Sequence, residues 1–371
     1  MIRQNTALVI QNTQNYAVKR HASFPVPSEQ ELLIQVLYSG INPADVKHED
    51  LGIDTTTLGY DFCGQVMGGH DVEMVNMQFK EGDIVAGYTP TGIGRPSKFG
   101  SHQDYLVCPV DMMFKVPDNV PRSHAACLTV TTMTAADIVF NLFGLHLSDE
   151  NKLLSHADAI LIWGAAGGVG SATVQFAKIA GFKHILAVAS IARHHELKLL
   201  GATACFEYKQ PDAVDKIRTH AKKHNFKISY GVDAVGTIGQ NNSADMVRRS
   251  CHADAQLVST VLRSQKTFKL PFAMKNRDIQ LKVHAFVTPR YMKWLQPWVP
   301  KIKVSLSRNE GDHQKAWQAL MYAVGHYGQD FHRMSSVQEC SRDAEQALDK
   351  VKAVAAGTGG SGKWVVPHPF A

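Results

Sequence analysis

The chain has 371 residues, 44% of them apolar and 19% charged, with a net charge of +6, a globular composition with room for two domains. Its lysines and arginines are scattered rather than gathered into a stripe, which argues against a nucleic-acid footprint, while a mild positive charge suits an anionic ligand. Six cysteines at 63, 108, 127, 205, 251 and 340 form no C-x-x-C pair, which fits reduced thiols rather than a disulfide framework or a zinc knuckle, and with neither a signal-peptide core nor a membrane-length apolar run expected, a cytoplasmic protein is the default.

In chain order, residues 7–10 and 31–38 are branched apolar runs separated by Pro25, Pro27 and Ser28. Residues 62–67, 84–88 and 101–108 follow, parted by turns such as Glu81-Gly82-Asp83. Together they predict a partly open β-barrel of short strands. After Pro121 a helical segment runs from Ser123 to about Leu145, and 146–158 reads as a loop. From 159 onward strands alternate with helices: strands at 159–163, 184–189, 204–208, 231–235 and 256–260, a helix over 172–180 closed by Gly181, and another ending at Gly201-Ala202. That alternation predicts an α/β fold with a doubly wound parallel sheet. Residues 279–287 alternate with period two and are expected as an edge strand of that sheet. Helices are expected around 314–327 and 343–355, and a last strand at 363–366 is expected to return to the first domain. The expected division is a discontinuous barrel domain, 1–127 with 307–371, around a cofactor-binding domain, 128–306.

The segment Gly164-Ala165-Ala166-Gly167-Gly168-Val169-Gly170 follows the strand at 159–163 and opens the next helix. In that context it reads as the phosphate turn of a nicotinamide dinucleotide site. Gly167 lets the backbone approach the pyrophosphate, Gly170 allows close helix–strand packing, and amides at the helix start face the phosphates. Sites for NAD place an Asp or Glu at the end of the second strand; here that region reads Ala189-Ser190-Ile191-Ala192-Arg193. Without the acid a 2′-phosphate is not repelled, Ser190 can donate to it and Arg193 can pair with it. Lys178, on the helix after the turn, is a third candidate. The expected cofactor is NADPH; the other reading of Arg193 is a solvated helix start.

These landmarks carry a family resemblance. With Gly40-Ile41-Asn42-Pro43-Ala44-Asp45, Leu58-Gly59-Tyr60-Asp61-Phe62-Cys63-Gly64, Gly82-Asp83-Ile84-Val85 and Ser361-Gly362-Lys363, the chain resembles the medium-chain dehydrogenase/reductase superfamily over nearly its whole length. The resemblance implies a GroES-like barrel domain joined to a Rossmann domain. Zinc alcohol dehydrogenases of that superfamily carry a Cys and a His-Glu pair in the first domain; here those regions read Ile41-Asn42-Pro43-Ala44-Asp45 and Tyr60-Asp61. A catalytic zinc takes about three N/S/O ligands and an open position, so no metal is expected, and His48, His70 and His102 show no ligand spacing.

Within the zinc-free branch, Asn42-Pro43-Ala44-Asp45-Val46-Lys47, residues 127–135 and Gly360-Ser361-Gly362-Lys363 resemble the trans-acting enoyl reductases of fungal polyketide biosynthesis, the lovastatin-pathway type. The phosphate turn departs toward the quinone-reductase form. The resemblance implies reduction of a conjugated C=C, on a substrate bound to or derived from a polyketide synthase in secondary metabolism. It implies catalytic roles for Lys47 and Thr134, an adenosine contact for Tyr208 and a cofactor-side position for Lys363. Asp61 is expected to fix loop geometry. A monomer, or a homodimer paired through 280–287, is expected. A quinone or alkenal reductase, a cyclase that holds NADPH without redox change, and a non-catalytic cofactor-binding protein remain as other readings.

Overall fold

Along Glu31–Gly40 buried Leu32, Ile34 and Val36 alternate with more exposed neighbours, the period-two pattern of a strand with one covered face. In the computed structural model the strands in chain order are β1 (Ala7–Asn12), β2 (Asn15–Lys19), β3 (Glu31–Gly40), β4 (Thr56–Thr57), β5 (Asp61–Gly69), β6 (Ile84–Tyr88), β7 (Tyr105–Pro109), β8 (Met113–Lys115), β9 (Asp158–Trp163), β10 (His184–Ala189), β11 (Ala204–Glu207), β12 (Lys227–Asp233), β13 (Gln256–Ser259), β14 (Phe268–Lys269), β15 (Asp278–His284), β16 (Lys301–Ser307), β17 (Val337–Glu339) and β18 (Lys363–Pro367). The α-helices are α1 (Ala44–Lys47), α2 (Arg122–Ala136), α3 (Gly168–Ile179), α4 (His194–Leu200), α5 (Ala213–Lys223), α6 (Ser243–Ser250), α7 (Asp312–Gly325) and α8 (Ala344–Ala355). The structure describes residues 4–371 except 13–14, 54–55, 70–78, 148–157, 238–241, 262–266, 273–274, 276–277, 285–297, 308, 310, 334–335 and 361.

Contacts sort the chain into two units, Met1–Val130 with Met274–Glu310 and Arg333–Ala371, and Thr131–Ala273 with Gly311–His332. In the first unit a seven-stranded sheet runs β17-β18-β3-β5-β6-β8, with β7 also on β3, and a smaller sheet runs β2-β1-β4. One end of β3 pairs with β7 and the other with β18, so the last strand returns to the first domain's sheet as expected. Asp343 caps α8 by accepting the Gln346 amide at 2.9 Å. The helix buries Ala344, Ala347, Leu348 and Val351 against Leu8, Ile10, Ile41, Leu58, Val366 and Phe370, a satisfied helix start feeding an apolar stripe.

In the second unit six parallel strands run β11-β10-β9-β12-β13-β14. Numbered along the chain this is 3-2-1-4-5-6, the doubly wound dinucleotide-binding order. Leu161, Trp163, Leu186, Val188, Ile217, Val247 and Leu257 form part of the core on one face. The helix after Pro121 changes to π-type over Asp137–Leu142. Buried Asp137 takes the Asn141 side-chain amide at 2.8 Å and the Phe272 backbone amide at 2.9 Å, and Asn141 also donates to the Asp312 carbonyl at 2.9 Å. That last bond ties α7 to the second unit. Contrary to the expectation of no membrane-length apolar run, Arg122–Leu142 is by length and composition apolar enough to cross a membrane, and 78% of an 18-residue window within it is buried inside the protein.

The alternating segment from 279 is not an edge strand of the parallel sheet. β15 pairs antiparallel with β16 as a two-stranded sheet of its own, grouped with the first unit. Residues 285–287 lie outside the described residues. Period-two alternation belongs to antiparallel ribbons with one open face, whereas strands of a doubly covered parallel sheet read as continuous apolar runs, as Ala-Ile-Leu-Ile-Trp at 159–163 does. The homodimer expected through 280–287 as a Rossmann edge therefore loses its premise.

Candidate cofactor and active site

The glycine turn leaves β9, whose neighbours β10 and β12 are reached in opposite directions along the sheet, the switch point where α/β sheets open a crevice. Gly164 has φ +84°, and a Cβ there would lie 2.4 Å from Val235 Cγ2. A Cβ on Gly170 would lie 2.3 Å from the Gly164 carbonyl oxygen and 2.7 Å from Ala165 Cα. Gly164 and Ala165 donate to the Val188 carbonyl at 2.9 and 3.1 Å, and Gly167 donates back to Gly164 at 3.0 Å. The first bond of α3 runs from the Ser171 amide to Gly167 at 2.8 Å. The amides of Gly168, Val169 and Gly170 therefore have no intrahelical acceptor and sit at the positive end of the helix dipole, a fit for a pyrophosphate.

Neighbouring residues hold this turn. Asp233, at the end of β12, accepts the amides of Val235 and Gly236 at 3.2 and 3.0 Å and the Ser259 hydroxyl at 2.9 Å, which fixes the segment facing Gly164. Thr131 packs on the turn, since a Cβ on Gly168 would come within 2.7 Å of its Cγ2. Thr134, the residue singled out from the sequence, lies nearly one turn further along α2 and is half-buried.

Ser190 follows β10 directly and Tyr208 follows β11, half-exposed with the Lys209 ammonium 5.8 Å above its ring. An acid does reach the turn after β10, from the adjacent strand. Glu207 accepts the Ile191 amide at 2.6 Å and the Lys209 amide at 3.1 Å, and these two N–H groups hold its carboxyl below the usual range. Arg193 is paired with Glu196 at 2.7 Å. Lys178 is not near the turn: it stands in the last turn of α3, its stem 2.9 Å from where a Gly201 Cβ would be. Ten residues of helix separate it from Gly168 by about 15 Å at 1.5 Å per residue.

In the first unit the loop Gly40–Asp45 carries other residues singled out from the sequence. A Cβ on Gly40 would lie 2.2 Å from the Ala126 carbonyl oxygen, so only glycine lets the two backbones meet. The Asn42 amide donates to Asp45 Oδ2 at 2.7 Å and the Asn42 side chain donates to Asp61 Oδ2 at 2.9 Å. Asp61 Oδ1 accepts the Val130 amide at 2.7 Å. Lys363 Nζ donates to the Ile41 carbonyl at 2.8 Å and to Asn42 Oδ1 at 2.5 Å, and stands 4.0 Å from Asp61. The ammonium is thus spent on holding the loop. Burial pushes the Asp61 carboxyl up to about 6, against the opposing pull of Lys363, Asn42 and the Val130 amide. Lys47 closes α1, exposed.

Beside this loop, His48 Nδ1 lies 2.7 Å from the Tyr60 hydroxyl, which accepts from Thr91 at 3.2 Å. Tyr60 therefore donates to His48, and the imidazole carries its proton on Nε2. Burial lowers the His48 pKa to about 4. A depressed folded pKa gives stability that is full above the unfolded value of about 6.5 and is lost as pH falls toward 4. His48→Gln is expected to flatten the fall in unfolding midpoint between pH 6.5 and 4, read by thermal melts; an unchanged slope would contradict this account.

His102 contacts Ser39 with one ring nitrogen and Asp45 with the other. Among the described residues no group of three or more His, Cys, Asp or Glu is arranged to hold a metal ion; His70 lies outside the described residues. Arg95, Ser39, His102, Asp104, His368, Glu207 and Asp233 carry much of the geometry and were not picked out as site residues from the sequence; Ser39, His102, Asp104 and His368 are joined by contacts remote in the chain.

Two domain families match the chain: the alcohol dehydrogenase GroES-like domain over residues 28–118 and zinc-binding dehydrogenase over residues 168–298. The trans-enoyl reductase tazE of Aspergillus terreus is 33% identical over 221 residues, 56% of this chain and 69% of that protein. A zinc-type alcohol dehydrogenase-like protein of Staphylococcus epidermidis is 36% identical over 165 residues, 43% of this chain and 45% of that protein. Across such curated relatives the chain spans about half to two thirds of their length. The crystal structure of CurK enoyl reductase is similar in fold, with a TM-score of 0.67 at 17% identity over 99% of this chain and 100% of that one. By fold, strand order, domain families and relatives, the chain belongs to the medium-chain dehydrogenase/reductase superfamily.

Proposed function

We propose that the chain is an NADPH-dependent, zinc-independent enoyl reductase, acting in trans on a conjugated C=C carried by or derived from a polyketide synthase, in the cytoplasm. The observation that carries the dinucleotide part is the phosphate turn at the switch point of a 3-2-1-4-5-6 sheet; similarity to trans-enoyl reductases supports the substrate class. When bound, the cofactor supplies a hydride. The amides of Gly168, Val169 and Gly170, with Gly164, Ala165, Ala166 and Gly167 shaping the turn, would bind its pyrophosphate; Ser190 and Arg193 would take the 2′-phosphate, Arg193 exchanging Glu196 for it, and Tyr208 would cover the adenosine. Lys178 is withdrawn from this set, and Lys363 acts through Asn42 rather than on the cofactor. Zinc independence is supported by Asp61, whose two oxygens are taken by hydrogen bonds, and by His102, whose two nitrogens are likewise engaged.

Lys47 places a cation where charge develops on the enolate oxygen, and Thr134 orients the nicotinamide amide or substrate carbonyl. Lys47→Ala is expected to lower kcat/KM for NADPH oxidation with an enoyl thioester by about 100-fold, the scale of one preorganised electrostatic contact. An unchanged rate would remove Lys47 from catalysis. The quinone-reductase form of the phosphate turn favours a second reading, a quinone or alkenal reductase; turnover of free enones with none of enoyl thioesters would decide for it.

A further inference from the structure

The Gly40–Asp45 loop is tied down by a chain of five buried side chains. Asp45 Oδ2 lies 3.1 Å from His102 Nε2, and His102 Nδ1 lies 2.8 Å from Ser39 Oγ. Ser39 Oγ in turn lies 2.9 Å from His368 Nε2, and His368 Nδ1 lies 3.2 Å from Asp104 Oδ1. Every member is buried. Each of these four contacts requires one proton between its two heavy atoms. Two neutral imidazoles supply one N–H each, Ser39 supplies one O–H, and two carboxylates supply none. Three protons cannot fill four contacts. With three, one contact sets lone pair against lone pair away from water, an unsatisfied buried arrangement of the kind that proteins avoid.

We infer that the chain Asp45–His102–Ser39–His368–Asp104 binds one proton beyond these three, and that this proton resides at its Asp45–His102 end. The far end is built for a carboxylate: Asp104 also accepts the Phe370 amide at 2.9 Å and the Thr6 amide at 3.0 Å. Among the described residues Asp45 accepts only the Asn42 amide besides His102, and its buried Oδ1 has no partner there. His368 lines a cavity of about 330 Å³ together with Arg122, Arg342, Tyr38 and Ser123, and burial, with smaller contributions from His102 and Arg342, opposes a second proton on this imidazole against the pull of Asp104. Asp45 is faced by His48, Tyr60, Arg95 and Asp61. The Arg95 guanidinium faces Asp45 as a cation, so the added proton is assigned to His102 or shared across their contact. In either form the donors point one way: His102 Nδ1–H to Ser39, Ser39 O–H to His368, His368 Nδ1–H to Asp104.

The added proton is a positioning device. It keeps Asp45 from standing as a buried anion opposite a neutral ring, and Asp45 holds both the Asn42 amide and the start of the helix that ends at Lys47. This inference goes beyond the proposed reaction and stands or falls without it.

The test uses the whole protein labelled with 15N-histidine, with long-range 1H–15N spectra at pH 7 and assignments from His102→Gln and His368→Gln. The expected result is a protonated Nδ1 on His102. Ser39→Ala divides the chain into two pairs, each filled by its own imidazole proton, so His102 Nδ1 should then lose its proton and keep Nε2–H toward Asp45. A wild-type His102 that is neutral with a bare Nδ1 overturns the inference. A second readout is thermal unfolding from pH 7 to 9. The folded chain keeps a proton that an unfolded histidine has released, so stability falls as pH rises. The wild-type midpoint should drop across this range more than that of Ser39→Ala; equal slopes also overturn the inference.

Discussion

Gly170→Ala is expected to destabilise the second unit by about 1–3 kcal/mol or more, the usual cost of overpacking, and to abolish measurable NADPH binding. The added methyl would stand 2.3 Å from the Gly164 carbonyl oxygen and 2.7 Å from Ala165 Cα. Both are backbone atoms, so no side chain can swing aside. The start of α3 must move away from the end of β9, taking the amides of Gly168 and Val169 with it. Gly167→Ala is the control: its φ is −75° and its Cβ would meet nothing nearer than the Gly164 carbonyl at 3.4 Å. It should fold normally and lose cofactor affinity alone, because its methyl occupies the space through which the pyrophosphate approaches. Denaturant melts and fluorescence titration with NADPH separate the two effects. If Gly170→Ala binds NADPH like wild type, the turn is not the phosphate site.

The contrast between these two glycines shows what the sequence carried. The strand–turn–helix around the glycines was legible because its pattern is local: the strand, the glycine spacing and the helix all lie within residues 158–179. The alternation that predicted the parallel sheet is local for the same reason. Lys178 was misjudged because proximity in sequence was read as proximity in space; along a helix it is a displacement of about 1.5 Å per residue away from the turn. The missing acid after β10 was also a local reading. Glu207 arrives there across a strand pairing between Ala189 and Glu207, which no spacing along the chain reveals. The strand from 279 failed on period: its alternation fitted an antiparallel ribbon, and that signal was available. In the first unit the loop motif Asn42–Asp45 was visible, but its partners Asp61, His102 and Lys363 come from up to 321 residues away, and His368 joins the network through Ser39. Lys363 was expected on the cofactor side, and its work on Asn42 depends on β18 lying beside β3.

Arg95→Met is expected to cost the first unit about 3–5 kcal/mol, the range for breaking a buried charged network. Arg95 is buried, and its guanidinium donates to the carbonyls of Thr57 at 3.3 Å, Gly59 at 2.7 Å and Phe99 at 2.6 Å and to the Thr89 hydroxyl at 2.9 Å, while lying 4.4 Å over the Tyr60 ring. No carboxylate pairs with it directly among the described residues; burial lowers its pKa, and only Tyr60 and Asp45 pull the other way. The charge is held by backbone dipoles, which makes geometry decisive. Methionine matches the length and removes both charge and donors, leaving buried acceptors at about 1–3 kcal/mol each where no second donor exists; Gly59 retains the Ser101 amide at 3.2 Å. Arg95→Lys keeps the charge but replaces a planar fork by a point donor that cannot span these acceptors or stack on Tyr60, so it should recover less than half of the loss. Because burial and then the Arg95 charge depress the His48 imidazole, Arg95→Met should raise the His48 pKa, whereas Arg95→Lys, which keeps the charge, should leave it closer to wild type. Full recovery of the unfolding midpoint by lysine would show that charge, and not the carbonyl clamp, holds this corner of the fold.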